Sequence, residues 1–405
     1  VIKKMRRTII TVSVIISSLA MSLAYARPLL GIDRLFSADY VALVKGKKIA
    51  VVANNASMDS QGRSTVALLK HYPQAQVAAI FTPEHGFNVD EDDKVSDEDS
   101  ARIPIYSLYG PRKSPTAAQL AGVDVIVFDL ETVGLRYYTY ITTLALVMKA
   151  AKAEGIPIIV LDRVNPLGGK QVSGAILNKK YCGDFAGYYP IPTRYGLTIG
   201  ELAQFYNRFF GIDAELTVVP LKNWRREALF SDTGLTWRAP SPALPTFEQA
   251  FLYGIFGPFE SLQLAVGRSQ TNKEAFRRFG APWISEKEAK QLVAKLKALK
   301  LSGLKFQTVS WMPDRAKYDN QECHGFKVSL TALNKVDDMR SFIEVSEVLY
   351  AQFQNKLRLS GMDGMLGSAE LRKAIEEQQP ATTLISRIKA ENREFMNQRE
   401  SVLLY

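Results

Sequence analysis

The stretch Val123-Asp-Val-Ile-Val-Phe128, the run Tyr140 to Glu154 and the stretch Ile156-Pro-Ile-Ile-Val-Leu161 together decide the fold. Two short apolar runs flank a helical stretch closed by Gly155. Neither apolar run alternates with polar residues along its length, so each predicts a strand buried on both faces. A helix between two such strands returns the chain to the same end of the sheet, which makes the strands parallel.

The pattern continues outward in both directions. Upstream stand Lys48-Ile-Ala-Val-Val-Ala53 and Val77-Ala-Ala-Ile-Phe81, separated by a helical stretch from Ser64 to Tyr72 with Val66, Leu68 and Leu69 on one face. Downstream, Thr198-x-x-Glu201 fits a capping box that opens a helix to Phe210. Leu216-Thr-Val-Val-Pro220 is a fifth strand. The whole predicts an α/β unit: a parallel sheet covered by helices on both faces.

Residues 225–280 lose that rhythm. They are rich in Pro, Gly and aromatic residues and predict long loops around short helices, a common setting for function. From about Ala281 a smaller α+β unit follows. Ser285-x-x-Glu288 opens an amphipathic helix, strands are expected at Phe306–Trp311 and 325–332, and a helix at 338–354. The expected domains are 27–280 and 281–405.

Residues 1–26 predict a secretory signal peptide rather than part of the fold. Lys3, Lys4, Arg6 and Arg7 precede an apolar run to Leu23, and Ala24-Tyr25-Ala26 is a cleavage site. No cysteine follows it, so no lipid anchor is expected, and no later apolar run has the ~18 residues of a membrane span. Export is therefore expected, with the periplasm as the destination.

Composition sets the outer limits. The 405 residues are 47% hydrophobic and 23% charged, which excludes a disordered or fibrous chain. Loss of the leader lowers the formal charge from +10 to about +6. The basic residues are scattered, and no nucleic-acid partner is expected. Two cysteines, Cys182 and Cys323, and three histidines are too few for a disulfide framework or a four-cysteine zinc site, and the thiols are expected unpaired. Asp90 to Asp99 holds seven acids in ten residues, and its spacing does not match an EF-hand.

Phosphate-binding signatures are missing, since neither GxGxxG nor GxxxxGK[ST] follows a strand. There is no GxSxG elbow and no HExxH. In parallel sheets, ligands bind beyond the carboxyl ends of the strands. Those ends deliver Asn54 and Asn55, then Glu84 and His85, then Asp129, Glu131, Arg136, Tyr137 and Tyr138. Asp162, Arg163 and Asn165 follow, then Asn223 and Trp224. Singly, each fits a structural role, and Asp162-Arg163 fits an ion pair. Gathered on one edge, they offer the paired carboxylates of glycosidic cleavage, with aromatic rings and arginines to hold a sugar. Glu84 stands out: Pro83 fixes the turn, Gly86 permits an unusual backbone, and the apolar strand ahead desolvates it.

At these motifs the chain resembles the NamZ-type exo-β-N-acetylmuramidases. The shared features are Phe81-Thr-Pro-Glu-His-Gly86, Ser107-Leu-Tyr-Gly110, Val133-Gly134-Leu-Arg136-Tyr-Tyr-Thr-Tyr140, Leu161-Asp-Arg-Val-Asn-Pro-Leu-Gly-Gly169, Gly267-Arg268 and the closing Leu403-Leu-Tyr405. The resemblance implies a Rossmann-like larger domain, a smaller auxiliary domain and an active site in the cleft between them. It implies an exo-acting glycosidase that releases N-acetylmuramic acid from the non-reducing end of MurNAc-β-1,4-GlcNAc fragments. It implies no cofactor and no metal, with muropeptides as partners.

Glu84 maps to the catalytic acid. Asp129 or Glu131 is the expected second carboxylate. Arg136, Arg163 or Arg268 would bind the lactyl carboxylate. Asn54, His85, Tyr138, Asp162 and Asn165 complete the expected substrate contacts.

Three departures stand out. Glu131-Thr132 replaces the family's Gln-Asp. Ser173-Gly-Ala replaces Glu-Gly-Pro. Ser269-Gln270 replaces Gly-Thr, with about two extra residues before Phe276. They keep two alternatives open: a muropeptide-binding protein without turnover, and a hydrolase of another amino sugar.

Overall fold

The computed structural model describes residues 26–88 and 103–405. Nearly all of the expected leader, and the acidic run Asp90–Asp99, lie outside the described residues. In chain order the strands are β1 Lys47–Val52, β2 Ala75–Thr82, β3 Ile105–Ser107, β4 Val125–Phe128, β5 Ile158–Leu161, β6 Ser173–Ile176, β7 Pro192–Arg194, β8 Leu216–Val219, β9 Arg278–Ala281, β10 Leu304–Trp311 and β11 Cys323–Leu330.

Six of them form one parallel sheet in the order β3-β2-β1-β4-β5-β8. All five expected strands are in it. The sixth, β3, is a three-residue edge strand, too short to leave a pattern in the sequence. β4 and β5 are buried along their whole length, which is why they are continuous runs of Val, Ile, Leu and Phe. The helix Tyr140–Glu154 carries the chain from β4 to β5 and ends on Gly155 at φ 65°, the left-handed cap that glycine adopts without strain. The helix Ile199–Phe209 begins with the expected Thr198/Glu201 capping box. It buries Leu202, Phe205 and Tyr206, each worth about 1.5–3 kcal/mol of transfer free energy.

The smaller unit carries an antiparallel sheet in the order β10-β11-β9. Its helix Glu286–Ala298 has the expected Ser285/Glu288 capping box. A two-stranded ribbon, β6 with β7, was not legible in advance.

Buried arginines tie the parts together. Arg136 donates to the carbonyls of Ala175 at 2.6 Å, Ile191 at 2.8 Å and Met365 at 2.8 Å. Arg194 pairs with Asp338 at 3.1 Å. The chain terminus returns to the sheet, where the Tyr405 hydroxyl donates to Asp162 at 2.6 Å and accepts from the Leu221 amide at 2.7 Å. Cys182 and Cys323 are unpaired. Among the described residues no helix is long and apolar enough to cross a membrane.

Candidate active site

The apolar end of β2 runs into Pro83-Glu84-His85-Gly86. The Gly86 amide donates back to the Pro83 carbonyl at 3.1 Å, and His85 and Gly86 both sit at φ 71°. A positive φ at a residue with a β-carbon is costly, and it persists here because the turn is held from several sides. That turn aims Glu84 into a cavity of about 300 Å³.

Two hydroxyls hold the Glu84 carboxylate. Thr139 Oγ1 donates to Glu84 Oε2 at 2.7 Å. The Tyr109 hydroxyl also hydrogen-bonds to Glu84, and burial together with that carboxylate pushes the phenol up to about 12. The Glu84 backbone is fixed as well, since the Tyr140 hydroxyl lies 3.2 Å from its carbonyl and 2.6 Å from that of Pro240. Asn54 donates to the same Tyr140 oxygen at 3.3 Å. Asn54 therefore acts two bonds away from Glu84 and does not line the cavity.

The opposite wall comes from residues 241–276. Glu260 is a second carboxylate on this cavity, and Arg268 pairs with it at 3.0 Å. Tyr137, Tyr138, Tyr253 and Phe276 supply aromatic faces. Tyr137 stands edge-on to Tyr253 at 5.2 Å, and Tyr253 lies against Phe276 at 4.6 Å. A polar floor with aromatic walls fits a sugar, whose hydroxyls need hydrogen bonds and whose C–H faces pack on rings.

Four of the expected site residues thus meet here: Glu84, His85, Tyr138 and Arg268. Others are placed elsewhere. Asp129, the expected second carboxylate, is 0% exposed and faces no cavity described here. Its carboxylate accepts from Arg163 Nε at 2.5 Å and Nη2 at 3.0 Å, and from the Thr65 hydroxyl. An isolated buried charge is costly, and Arg163 is what makes this one tolerable. Arg163 is accordingly an ion-pair partner rather than a carboxylate receptor. Arg136 is fully buried, and its two terminal nitrogens donate to backbone carbonyls.

Asp162 accepts from the Gly200 amide at 2.7 Å, Thr198 at 2.8 Å, the Arg163 amide at 2.9 Å and Tyr405 at 2.6 Å. Asn165 bridges the Leu197 carbonyl at 2.8 Å and the Leu167 amide at 3.0 Å. Both organise loops. Glu131 lines a different, smaller cavity with Arg163.

Sequence reasoning passed over Glu260, Tyr109 and Thr139. Glu260 lies in a short 3-10 helix, Gly257–Ser261, inside the irregular stretch, where no strand end points to it. A glutamate seven residues before the Gly267-Arg268 motif was the available signal. Among the described residues no cluster of three His, Cys, Asp or Glu has the arrangement of a metal site.

Known proteins of this architecture carry the same two units. The model of the N-terminal domain of exo-beta-N-acetylmuramidase NamZ matches residues 49–248, and that of its C-terminal domain matches residues 251–405. The peptidoglycan beta-N-acetylmuramidase NamZ of Bacillus subtilis (strain 168) is 37% identical over 382 residues, covering 93% of this chain and 91% of that one. Two crystal structures of DUF1343 family proteins from Bacteroides fragilis NCTC 9343 superpose with TM-scores of 0.83 and 0.73 at 28% and 25% identity. Each alignment covers 94% of this chain and 99% of the other. With both domain models matched over almost all of the described chain, the protein belongs to the NamZ family of exo-beta-N-acetylmuramidases.

Proposed function

We propose that this glycoside hydrolase removes terminal N-acetylmuramic acid from MurNAc-β-1,4-GlcNAc fragments of peptidoglycan, with Glu84 as the general acid and Glu260 as its companion carboxylate. One observation carries the assignment: Glu84 and Glu260 line the same cavity, and Arg268 holds the second of them. Glu84 protonates the glycosidic oxygen as the bond to the anomeric carbon breaks. Glu260 supplies the negative charge that faces the oxocarbenium-like centre, and a water then adds to the anomeric carbon and gives its proton to one of the two carboxylates. Thr139 and Tyr109 keep the acid in one orientation, so little reorganisation is needed at the moment of transfer. Arg268 is the cation in the cavity for the lactyl carboxylate that distinguishes muramic acid from glucosamine.

The departure at Glu131-Thr132 does not touch this cavity, which supports a working hydrolase rather than a binding protein without turnover. The leader-like residues 1–26 support an exported, periplasmic enzyme, placed where the wall polymer is.

The test is release of N-acetylmuramic acid from the muramyl-glucosamine disaccharide by wild type, Glu84→Gln and Glu260→Gln. Both variants should lose turnover while retaining the fold. Unchanged turnover in Glu260→Gln would remove it from the reaction.

A further inference from the structure

The sheet has a second crevice that the glycosidase reading leaves unused. In the order β3-β2-β1-β4-β5-β8, connections diverge on either side of β1 and β4. Parallel sheets take ligands in the crevice at that divergence, outside the carboxyl ends of the strands. Here the loop after β1 contributes Met58 to Gly62, the loop after β4 contributes Glu131, and β5 contributes Arg163. Together with Trp237 and Arg238 they enclose about 150 Å³. The Glu84 cavity is separate, although residues 235–244 border both: Trp237 and Arg238 on one, Ser241 and Leu244 on the other.

The chemistry of this crevice is unbalanced in two places. Glu131 is only 7% exposed, and its Oε1 has no hydrogen-bond partner. Its other oxygen accepts from Arg163 Nη1 at 3.1 Å. Arg163 already gives Nε and Nη2 to Asp129, so one guanidinium serves two carboxylates and the floor keeps a net negative charge. Asp59 adds nothing to that deficit, because Arg63 pairs with it at 2.6 Å. On the rim, Arg27 and Arg238 have no hydrogen bond or ion pair among the described residues, and the Arg238 guanidinium lies over Gly62. A buried acceptor without a protein donor is costly, so water or a ligand supplies the missing donor.

We propose that this crevice is a second ligand site, which takes a small zwitterion of the amino-acid type, its ammonium on Glu131 Oε1 and its carboxylate on Arg238. A simple anion would meet Glu131, and a simple cation would meet Arg238. A ligand that carries both charges serves floor and rim together, since Glu131 and Arg238 line the same crevice. The space is about half that of the Glu84 cavity, about 150 Å³ against about 300 Å³, which suits a small head group. Burial pushes the Glu131 carboxyl up to about 7 even beside Arg163, which agrees with a floor whose one cation is shared with Asp129. Such a head group is offered both by free amino acids and by the diaminopimelate end of a wall peptide.

Calorimetric titration of the whole protein decides the matter. The probes are alanine, a wall tripeptide ending in diaminopimelate, propionate and ethylamine. At least one of the first two should bind saturably, and the tighter of them identifies the source. Propionate and ethylamine should bind at least about tenfold more weakly, roughly 1.4 kcal/mol. Glu131→Gln and Arg238→Gln should each weaken the zwitterion by a similar factor, and Glu84→Gln should not. Arg238 is exposed, so its variant reports on the site even if Glu131→Gln fails to fold. Absence of binding by both zwitterions, propionate as tight as alanine, or an Arg238→Gln protein that binds like wild type would each overturn the proposal.

Discussion

Thr139 Oγ1 reaches Glu84 Oε2 at 2.7 Å across 55 residues of sequence, joining the loop after β4 to the turn after β2. The hydroxyl directs its proton at the Glu84 carboxyl and not at the glycosidic bond. Its effect is on where the carboxyl points. Thr139→Val keeps the size and removes the donor. A hydrogen bond to a charged group is worth about 1.5–3 kcal/mol. The variant should therefore lose roughly 10- to 100-fold in kcat, with KM for the disaccharide little changed. Removing the proposed acid itself in Glu84→Gln should cost about 10²–10⁴-fold. Steady-state kinetics on the disaccharide checks both. A rise in KM with kcat intact would mean that Thr139 binds substrate instead.

Arg136 was expected at the substrate and stands between domains. Its guanidinium satisfies three carbonyls, from Ala175, Ile191 and Met365. Arg136→Met fills much of the space and leaves those buried acceptors bare, at about 1–3 kcal/mol for each one left unsatisfied. The variant should show a clearly lower urea midpoint. Turnover per folded molecule at low temperature should stay within a few-fold of wild type. Wild-type stability with lost substrate affinity would return Arg136 to the binding site.

Asp129 invites a parallel comparison. Asp129→Asn weakens two of the hydrogen bonds that Arg163 makes and leaves Glu131 as its counter-charge, and hydrogen bonds to a charged group are worth about 1.5–3 kcal/mol each. The prediction is clear destabilisation with little change in the chemistry of the molecules that remain folded. Single-turnover assays at saturating substrate separate the two effects. A folded Asp129→Asn protein with no turnover would make Asp129 a participant in catalysis.

The larger sheet was legible because burial on both faces writes itself into the sequence as unbroken Val, Ile and Leu. The Thr198 and Ser285 capping boxes were legible because they are local, with both partners within three residues. The turn that carries Glu84 was legible for the same reason: an apolar strand, a proline and a glycine fix it. The roles of Asp129, Arg136 and Asp162 were not. Each depends on a partner far along the chain, Arg163, Met365 and Tyr405 respectively, and residue type alone does not say whether a carboxylate at a strand end faces a ligand or an arginine. Glu260 was missed because irregular segments carry no periodicity from which to infer direction.

Glu131 makes stability depend on pH in an unusual direction. Burial raises its carboxyl from the ordinary 4.5 to about 7 in the folded protein, against the pull of Arg163. Between those two values the folded chain holds a proton that the unfolded chain has released. Proton binding then favours the folded state at the acidic end, so stability falls as pH rises from about 4.5 to about 7 and levels off above. The slope from one such group is at most about 1.4 kcal/mol per pH unit. Asp162, raised by burial to about 7 as well, adds a contribution of the same sign. Glu131→Gln removes the first and keeps the second. Urea denaturation of wild type and Glu131→Gln across that range should therefore show a shallower decline in the variant, with the two curves closest at the acidic end. Parallel curves would mean that Glu131 is ionised in the folded protein throughout, with a donor supplied to Oε1.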